Sequence, residues 1–400
     1  MSPIRTLSGM VTALIVAAGV CSPSTARAAC CYFSALGSDV NQPSQKAFLT
    51  WNPAEQIESF TVQPRFEGNA ADFGMVIPTP SRPRLNEMPR DFFKELAVFT
   101  ILKPMPLDKY KRRYPVMLRG AGGLSLELGA GRKSTVRVLE AGVVGSLDYK
   151  IITAERSDDL YDWLKQNRYH YSGDEKTLGF YIPKRWVFTV MKIDPKQMKR
   201  SADGSYTGDV TPTRFTFASA RLIYPLRITQ ISVPTQTEAL FYVQAPYKVD
   251  LPSAFSYQYT WAPMWLQATS FAVPEKLTAQ EKRWMQVVQP RLEELNRVIT
   301  AHTRELPSWQ PARLEWAKKL TGQDLAVLTG SAPYGREADP TAVQQLRLLR
   351  GHLKQGQTIT KLRKVFLREE MGQDLVFERA RLAGVPDDME YEYILPTSPP

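Results

Sequence analysis

The sequence predicts an α+β fold. A sheet-rich, mostly antiparallel N-terminal domain with a short inserted helix is followed by a C-terminal helical block and one returning strand. Three observations carry this expectation. Apolar residues alternate with period two in many short runs before residue 250. The chain holds 30 prolines with 8 Trp, 17 Tyr and 17 Phe, a composition that favours sheet and loops over a helical bundle. Helical spacing becomes sustained only after Thr278. Hydrophobic residues make up 43% of the chain and charged residues 23%, enough apolar surface for a sizeable core in one large or two ordinary domains.

Residues 1–29 read as a secretory signal. Arg5 supplies the positive start, Met10–Val20 an apolar run too short to span a bilayer, and Ala26-Arg27-Ala28 a small-x-small cleavage site. No later apolar run approaches membrane-spanning length, so the mature chain is expected to carry no transmembrane helix and to be periplasmic or extracellular.

The mature chain then opens on Cys30-Cys31, and Cys21 is removed with the leader. Adjacent α-carbons lie about 3.8 Å apart, less than the usual disulfide span of roughly 4.4–6.8 Å. A bond between neighbours is therefore strained and reducible. A redox pair, a soft-metal site, a bridge to another chain, and a constrained turn are the readings this leaves open; two sulfurs alone cannot close a zinc site.

Gln45–Trp51 reads as a strand. The stretch Phe60–Pro80 organises the N-terminal half: Phe60, Val62 and Phe66 alternate, and Phe73–Ile77 forms a compact apolar run ended by Pro78 and Pro80. It reads as two strands joined by a tight loop. Pro89–Leu96 predicts a short helix burying Phe92, Phe93 and Leu96 on one side. Lys109–Tyr114 mixes bases with aromatics, but export argues against nucleic acid, leaving a solvated loop or an anionic contact. Gly120–Ser134 is glycine-rich yet lacks the phosphate-loop order, since Arg132 separates Gly131 from Lys133 and Leu126 stands where the first glycine belongs. A flexible loop is expected there.

Thr135–Leu139 and Leu147–Ala154 read as strands. Ser157-Asp158-Asp159 predicts a helix start with a side-chain cap and first-turn acids. Leu160, Trp163 and Leu164 give that helix its buried face, and the two aspartates point to different faces. Strands are expected at Leu178–Ile182, Trp186–Ile193, Thr213–Phe217, Leu226–Val233 and Ala239–Val249, with a turn at Asp203-Gly204-Ser205. In Phe255–Phe271 the aromatics Phe255, Tyr257, Tyr259 and Trp261 alternate as on one strand face. Tyr257, Tyr259 and Trp261 form the candidate ligand face, for sugar rings or peptide; packing against a helix is the alternative.

Thr278-Ala279-Gln280-Glu281 matches a capping box, and Asp339-Pro340 a second helix start whose face runs through Val343, Leu346, Leu349 and Leu353. Ile359–Phe366 reads as a strand returning to the first domain. The expected division is 1–29 leader, 30–275 sheet-rich domain, 276–357 helical segment, 358–385 return to the sheet, and 386–400 a disordered tail.

Several of these runs together resemble one known family. They are Cys30-Cys31-Tyr32-Phe33, Phe66-Glu67-Gly68 with Asp72-Phe73 and Val76–Pro80, Val144–Tyr149, Leu160–Leu164 and Phe188. Tyr224–Ile228, Ile359–Arg363 and Asp374–Phe377 complete the set. They resemble the exported bacterial family known as domain of unknown function 2330. Tyr32 stands where glycine is expected in that family. The resemblance implies no activity, cofactor or catalytic residue.

The sequence holds no Gly-x-Ser-x-Gly elbow and no His-Glu-x-x-His, and its three histidines, His170, His302 and His352, do not fall at metal-ligand spacing. No catalytic residue, metal or cofactor is therefore assigned. The net charge of +11 fits an anionic envelope surface as a partner, and equally a surface that only solubilises. The expected function is a non-enzymatic, exported module binding an envelope protein or surface. A thiol redox or soft-metal protein using Cys30 and Cys31, and a hydrolase with a dispersed site, are the alternatives.

Overall fold

A computed structural model describes residues 32–34, 40–68, 73–100 and 103–104. It continues over 135–257 apart from 146, 168, 170–174, 194–198, 201–205, 210, 234 and 253–254, and over 297–380 apart from 299 and 330–345. Positions 279, 282, 286 and 392–393 complete it. The leader, Cys30 and Cys31, the glycine-rich stretch, the capping box at Thr278 and the helix start at Asp339 lie outside the described residues.

Two sheets face each other. The smaller has five strands in the order β1 (Tyr32–Ser34), β4 (Phe73–Thr79), β8 (Val187–Ile193), β7 (Leu147–Thr153) and β6 (Arg137–Val144), all antiparallel. The larger has nine strands. Its main path runs β9 (Lys199–Arg200), β10 (Tyr206–Asp209), β3 (Ile57–Gly68), β2 (Val40–Asn52), β12 (Gln236–Ala245), β14 (Thr358–Leu367) and β13 (Arg313–Lys319). β11 (Thr213–Ala218) lies between β3 and β5 (Arg84–Glu87). The sheet is mixed, because β12 runs parallel to β2.

Alternation explains the layering. Ala47, Leu49, Phe60, Val62, Phe215, Phe217, Phe241 and Phe366 point inward from the large sheet and meet Met75, Ile77, Leu147 and Met191 from the small one. Phe60 lies at the centre of this core, stacked on Phe215 at 5.0 Å and edge-on to Phe217 at 5.6 Å. The outer face of the large sheet, with Phe48, Tyr242, Trp316 and Ile359, is covered by α1 (Phe92–Phe99), by α5 (Gly322–Thr329) and by Leu346, Leu349 and Leu353. The outer face of the small sheet, with Val76, Ile152, Phe188 and Val190, is covered by α2 (Ser157–Gln166), α3 (Glu175–Gly179) and α4 (Leu226–Thr229). The result is a sandwich of two sheets with helices on both outer sides.

The structure revises several sequence expectations. The strands at Phe60–Phe66 and Phe73–Ile77 exist, but they do not pair with each other. β3 belongs to the large sheet and β4 to the small one, so Phe60 and Met75 share the core between sheets. Leu178–Ile182 is not a strand: Leu178 and Gly179 are the last residues of α3, and residues 180–185 form turns. Leu226–Val233 is α4 followed by a 3-10 turn, because Leu226 and Ile228 are buried in different cores, which a flat strand beside Tyr224 does not arrange. The helix α2 is present, but its N-cap is Arg156 and has no side-chain cap; the Ser157 hydroxyl instead bonds Glu175 at 2.7 Å.

The helical block 276–357 is not supported. Within it, Arg313–Lys319 is a strand, β13, antiparallel to β14, because Leu314 and Ala317 join the central core while Trp316 faces the outer layer. Leu346, Leu349 and Leu353 are buried together, but through a 3-10 turn and bends. In the tail expected to be disordered, Glu392–Tyr393 pairs with Lys103–Pro104. The returning strand is β14, hydrogen-bonded to β12 along ten residue pairs from Gln236↔Leu367 to Ala245↔Thr358.

Candidate docking face

The hairpin between β6 and β7 turns at Gly145, which stands at φ +57, the left-handed region a two-residue hairpin loop demands. A Cβ there would meet the Glu87 carboxyl at 3.2 Å and the Thr211 methyl at 3.3 Å. Tyr149 lies across Gly142, and its hydroxyl donates to Glu140 at 2.7 Å. Glu140 also pairs with Arg82 at 2.6 Å, and the Arg82 and Tyr149 hydrogen bonds hold its carboxyl below the ordinary range. These contacts fix one side of β6.

The other side of β6 is different. Among the described strands it pairs with β7 alone, so it forms one edge of the small sheet. Register places Val138 opposite Ile152, Ala141 opposite Lys150 and Val143 opposite Asp148, on the outer face. The helical layer covers Ile152 but stops short of the edge. Val143 is 70% exposed and Val138 45%, and Ala141 is exposed between them. A register shift between Val138 and Glu140 bulges the edge.

Beside this apolar strip, Lys150 and Lys192 rise from β7 and β8 and converge on Asn167, the C-cap of α2. Lys150 Nζ donates to Asn167 Oδ1 at 3.3 Å, and Lys192 Nζ to its carbonyl at 2.9 Å. Cations here complement the negative end of the helix. Trp163 and Tyr169 stack at 5.9 Å, with Lys150 5.4 Å from the first ring and Lys192 4.6 Å from the second. Burial, with Asp148 nearby, pushes the Tyr169 phenol up to about 12. Trp163, expected as core, is half-buried and forms the wall of this basic, aromatic border.

The sequence-derived candidates are not gathered into a site. Tyr257 is fully buried in the central core, its N–H donating to Asp250 Oδ1 at 3.0 Å, so its ring does not face solvent. Tyr259, Trp261, Cys30, Cys31 and His170 lie outside the described residues. His302 stacks on Trp309 at 4.4 Å, in the helical residues 300–305. His352 Nδ1 lies 3.0 Å from the Arg214 guanidinium, which also donates to Thr61 at 3.1 Å. Burial, then Arg214, pulls His352 down to about 4, so it is neutral at pH 7. No group of three or more His, Cys, Asp or Glu among the described residues has metal-binding geometry.

The buried ionisable groups tie layers together. Lys364 and Glu370 pair at 2.8 Å with side chains 0% and 3% exposed. Across three strands, Arg363 bridges Glu238 and Glu315, and Lys361 joins Glu315 at 3.2 Å. The expected strand Thr135–Leu139 is instead Arg137–Val144, carried past Leu139 to the turn at Gly145.

The model of a family described as uncharacterized protein conserved in bacteria (DUF2330) matches residues 24–305. No curated protein matches the chain. The crystal structure of baculovirus P35 is similar at 12% identity over 56% of this chain and 75% of that one, with a TM-score of 0.26.

Proposed function

This chain belongs to the DUF2330 family, and from that premise we propose that it is a non-enzymatic exported module that docks another cell-envelope protein. One observation supports the reading: β6 offers a strand edge whose Val138, Ala141 and Val143 stand uncovered on the outer face. An extended segment of a partner adds to such an edge through main-chain hydrogen bonds, and alternate side chains select it. Lys150 and Lys192 beside the strip favour a partner segment carrying acids.

The test places a photo-crosslinking amino acid at Val143 in the cells that make the protein. A single adduct with an envelope protein is expected, and Val138→Lys should remove it without changing the melting temperature. An absent adduct, or one indifferent to Val138→Lys, defeats the proposal. So does turnover of an envelope substrate that a point substitution abolishes.

A further inference from the structure

The turn after α3 carries Phe180, Tyr181 and Lys184 and leads to Trp186. Lys184 Nζ lies 3.3 Å from the centroid of Phe180, 5.3 Å from that of Trp186 and 5.7 Å from that of Tyr181. A carboxylate oxygen of Asp374 is 3.6 Å away on a side chain only 3% exposed. The ammonium thus occupies a box of three rings and one acid.

The walls are held without help from Lys184. Phe180 meets Tyr181 edge-on at 5.0 Å, and Tyr181 meets Trp186 at 5.2 Å. The Tyr181 hydroxyl donates to Asp374 Oδ1 at 2.7 Å and accepts the Ile228 N–H at 3.0 Å. The Arg227 N–H donates to the same Asp374 oxygen at 3.1 Å, and its guanidinium lies 4.4 Å from the Phe180 centroid while donating to the Gly372 carbonyl. Three separate chain segments therefore build the box.

A primary ammonium fits it poorly. It brings three N–H donors, yet the acid offers it a single long contact, Asp374 Oδ2 at 3.6 Å, and the other neighbours are ring faces. Burial pulls the Lys184 amine down from its ordinary range, and Asp374 opposes this only in part. A methylated ammonium has fewer N–H groups to leave unsatisfied and is drawn to ring faces within about 6 Å. The Lys184 side chain is 37% exposed, so it fills the mouth of the box rather than its floor. The adjoining Arg185 sits at φ +55, a strained position for a residue with a Cβ.

We propose that Phe180, Tyr181, Trp186 and Asp374 form a binding site for a methylated ammonium group, with Lys184 as its displaceable plug. The group's source is a choline-type lipid headgroup or a free quaternary solute, which share this chemistry. The site is separate from the docking edge and stands without it.

Calorimetric titration of the mature chain with tetramethylammonium, choline and ammonium tests the site. Lys184→Ala should bind the methylated ions about ten- to a hundredfold tighter than the wild type does, and tighter than ammonium. Adding Phe180→Leu should remove the gain. A folded Lys184→Ala protein with no preference for methylated ions, or one whose affinity survives Phe180→Leu, overturns the proposal. So does a wild type that fails to bind at about a hundred times the Lys184→Ala dissociation constant. Sedimentation with phosphatidylcholine vesicles, but not phosphatidylglycerol vesicles, assigns the headgroup. Binding of soluble choline alone assigns the free solute.

Discussion

Glu58→Gln isolates a buried carboxyl of the large sheet that has one backbone hydrogen bond. Glu58 lies on β3, 0% exposed. Its Oε2 accepts the Ile223 N–H at 3.0 Å, and its Oε1 has no hydrogen-bond partner. Burial pushes the carboxyl well above its ordinary value of 4.5, and the Ile223 bond only partly offsets this. The folded protein therefore holds a proton that the unfolded chain has already lost. Stability is thus unaffected below about pH 4.5 and falls as pH rises, until the folded group ionises. Inside that window one proton gives a slope of about 1.4 kcal/mol per pH unit, large against a total stability of roughly 5–15 kcal/mol. The glutamine side chain cannot ionise, so the slope vanishes in the variant. Asp374 and Glu95, also raised by burial, and Glu140, Glu315 and Asp324, lowered by their partners, are common to both proteins and cancel in the difference. Urea midpoints at constant m from pH 4 to 8 give the difference curve. It should be flat at the acid end and then climb in favour of the variant. A curve flat throughout, or one that falls as pH rises, would mean that burial does not raise the Glu58 carboxyl, and the reasoning fails.

Three other outcomes rest on the same packing. Glu370→Gln leaves the Lys364 ammonium buried without its carboxylate and should cost about 3–5 kcal/mol, whereas replacing both by apolar residues should cost far less; chemical denaturation separates the two. Gly145→Ala puts a Cβ at φ +57 against Glu87 and should cost roughly 1–2 kcal/mol, read as a drop in melting temperature with the sheet signal retained. A chain ended at residue 305, where the family match stops, loses β13 and β14 and bares the edge of β12; it should show no cooperative unfolding transition.

The strands were legible wherever one face is apolar and the other is not. Thr213–Phe217 reads correctly because alternation marks a half-buried strand; Gln45–Trp51 and Ile359–Phe366 also read as strands, although both of their faces are covered. Which strands pair was not legible. Phe60 and Met75 look like neighbours in a hairpin, but period two states only that each has an inner face, and two facing sheets satisfy it as well as one. Leu178–Ile182 and Leu226–Val233 were misread because short apolar runs carry no period long enough to separate a turn of helix from a strand. β13 was missed since Arg313–Lys319 mixes four charges with its buried Leu314, Trp316 and Ala317, hiding the alternation behind a bulge. The box around Lys184 was illegible for a different reason: Asp374 arrives from nearly two hundred positions away, and no local spacing announces it.

The place of β12 also sets the order in which the molecule can be assembled. One neighbour, β2, is made long before it, while the other, β14, is still unmade when β12 leaves the ribosome. At about 10 residues per second, some ten seconds separate the two. Until β14 exists, that side of β12 has no native partner strand. Any chain held short of β14 keeps that border open, and an open border of this kind is a template for strands of other chains.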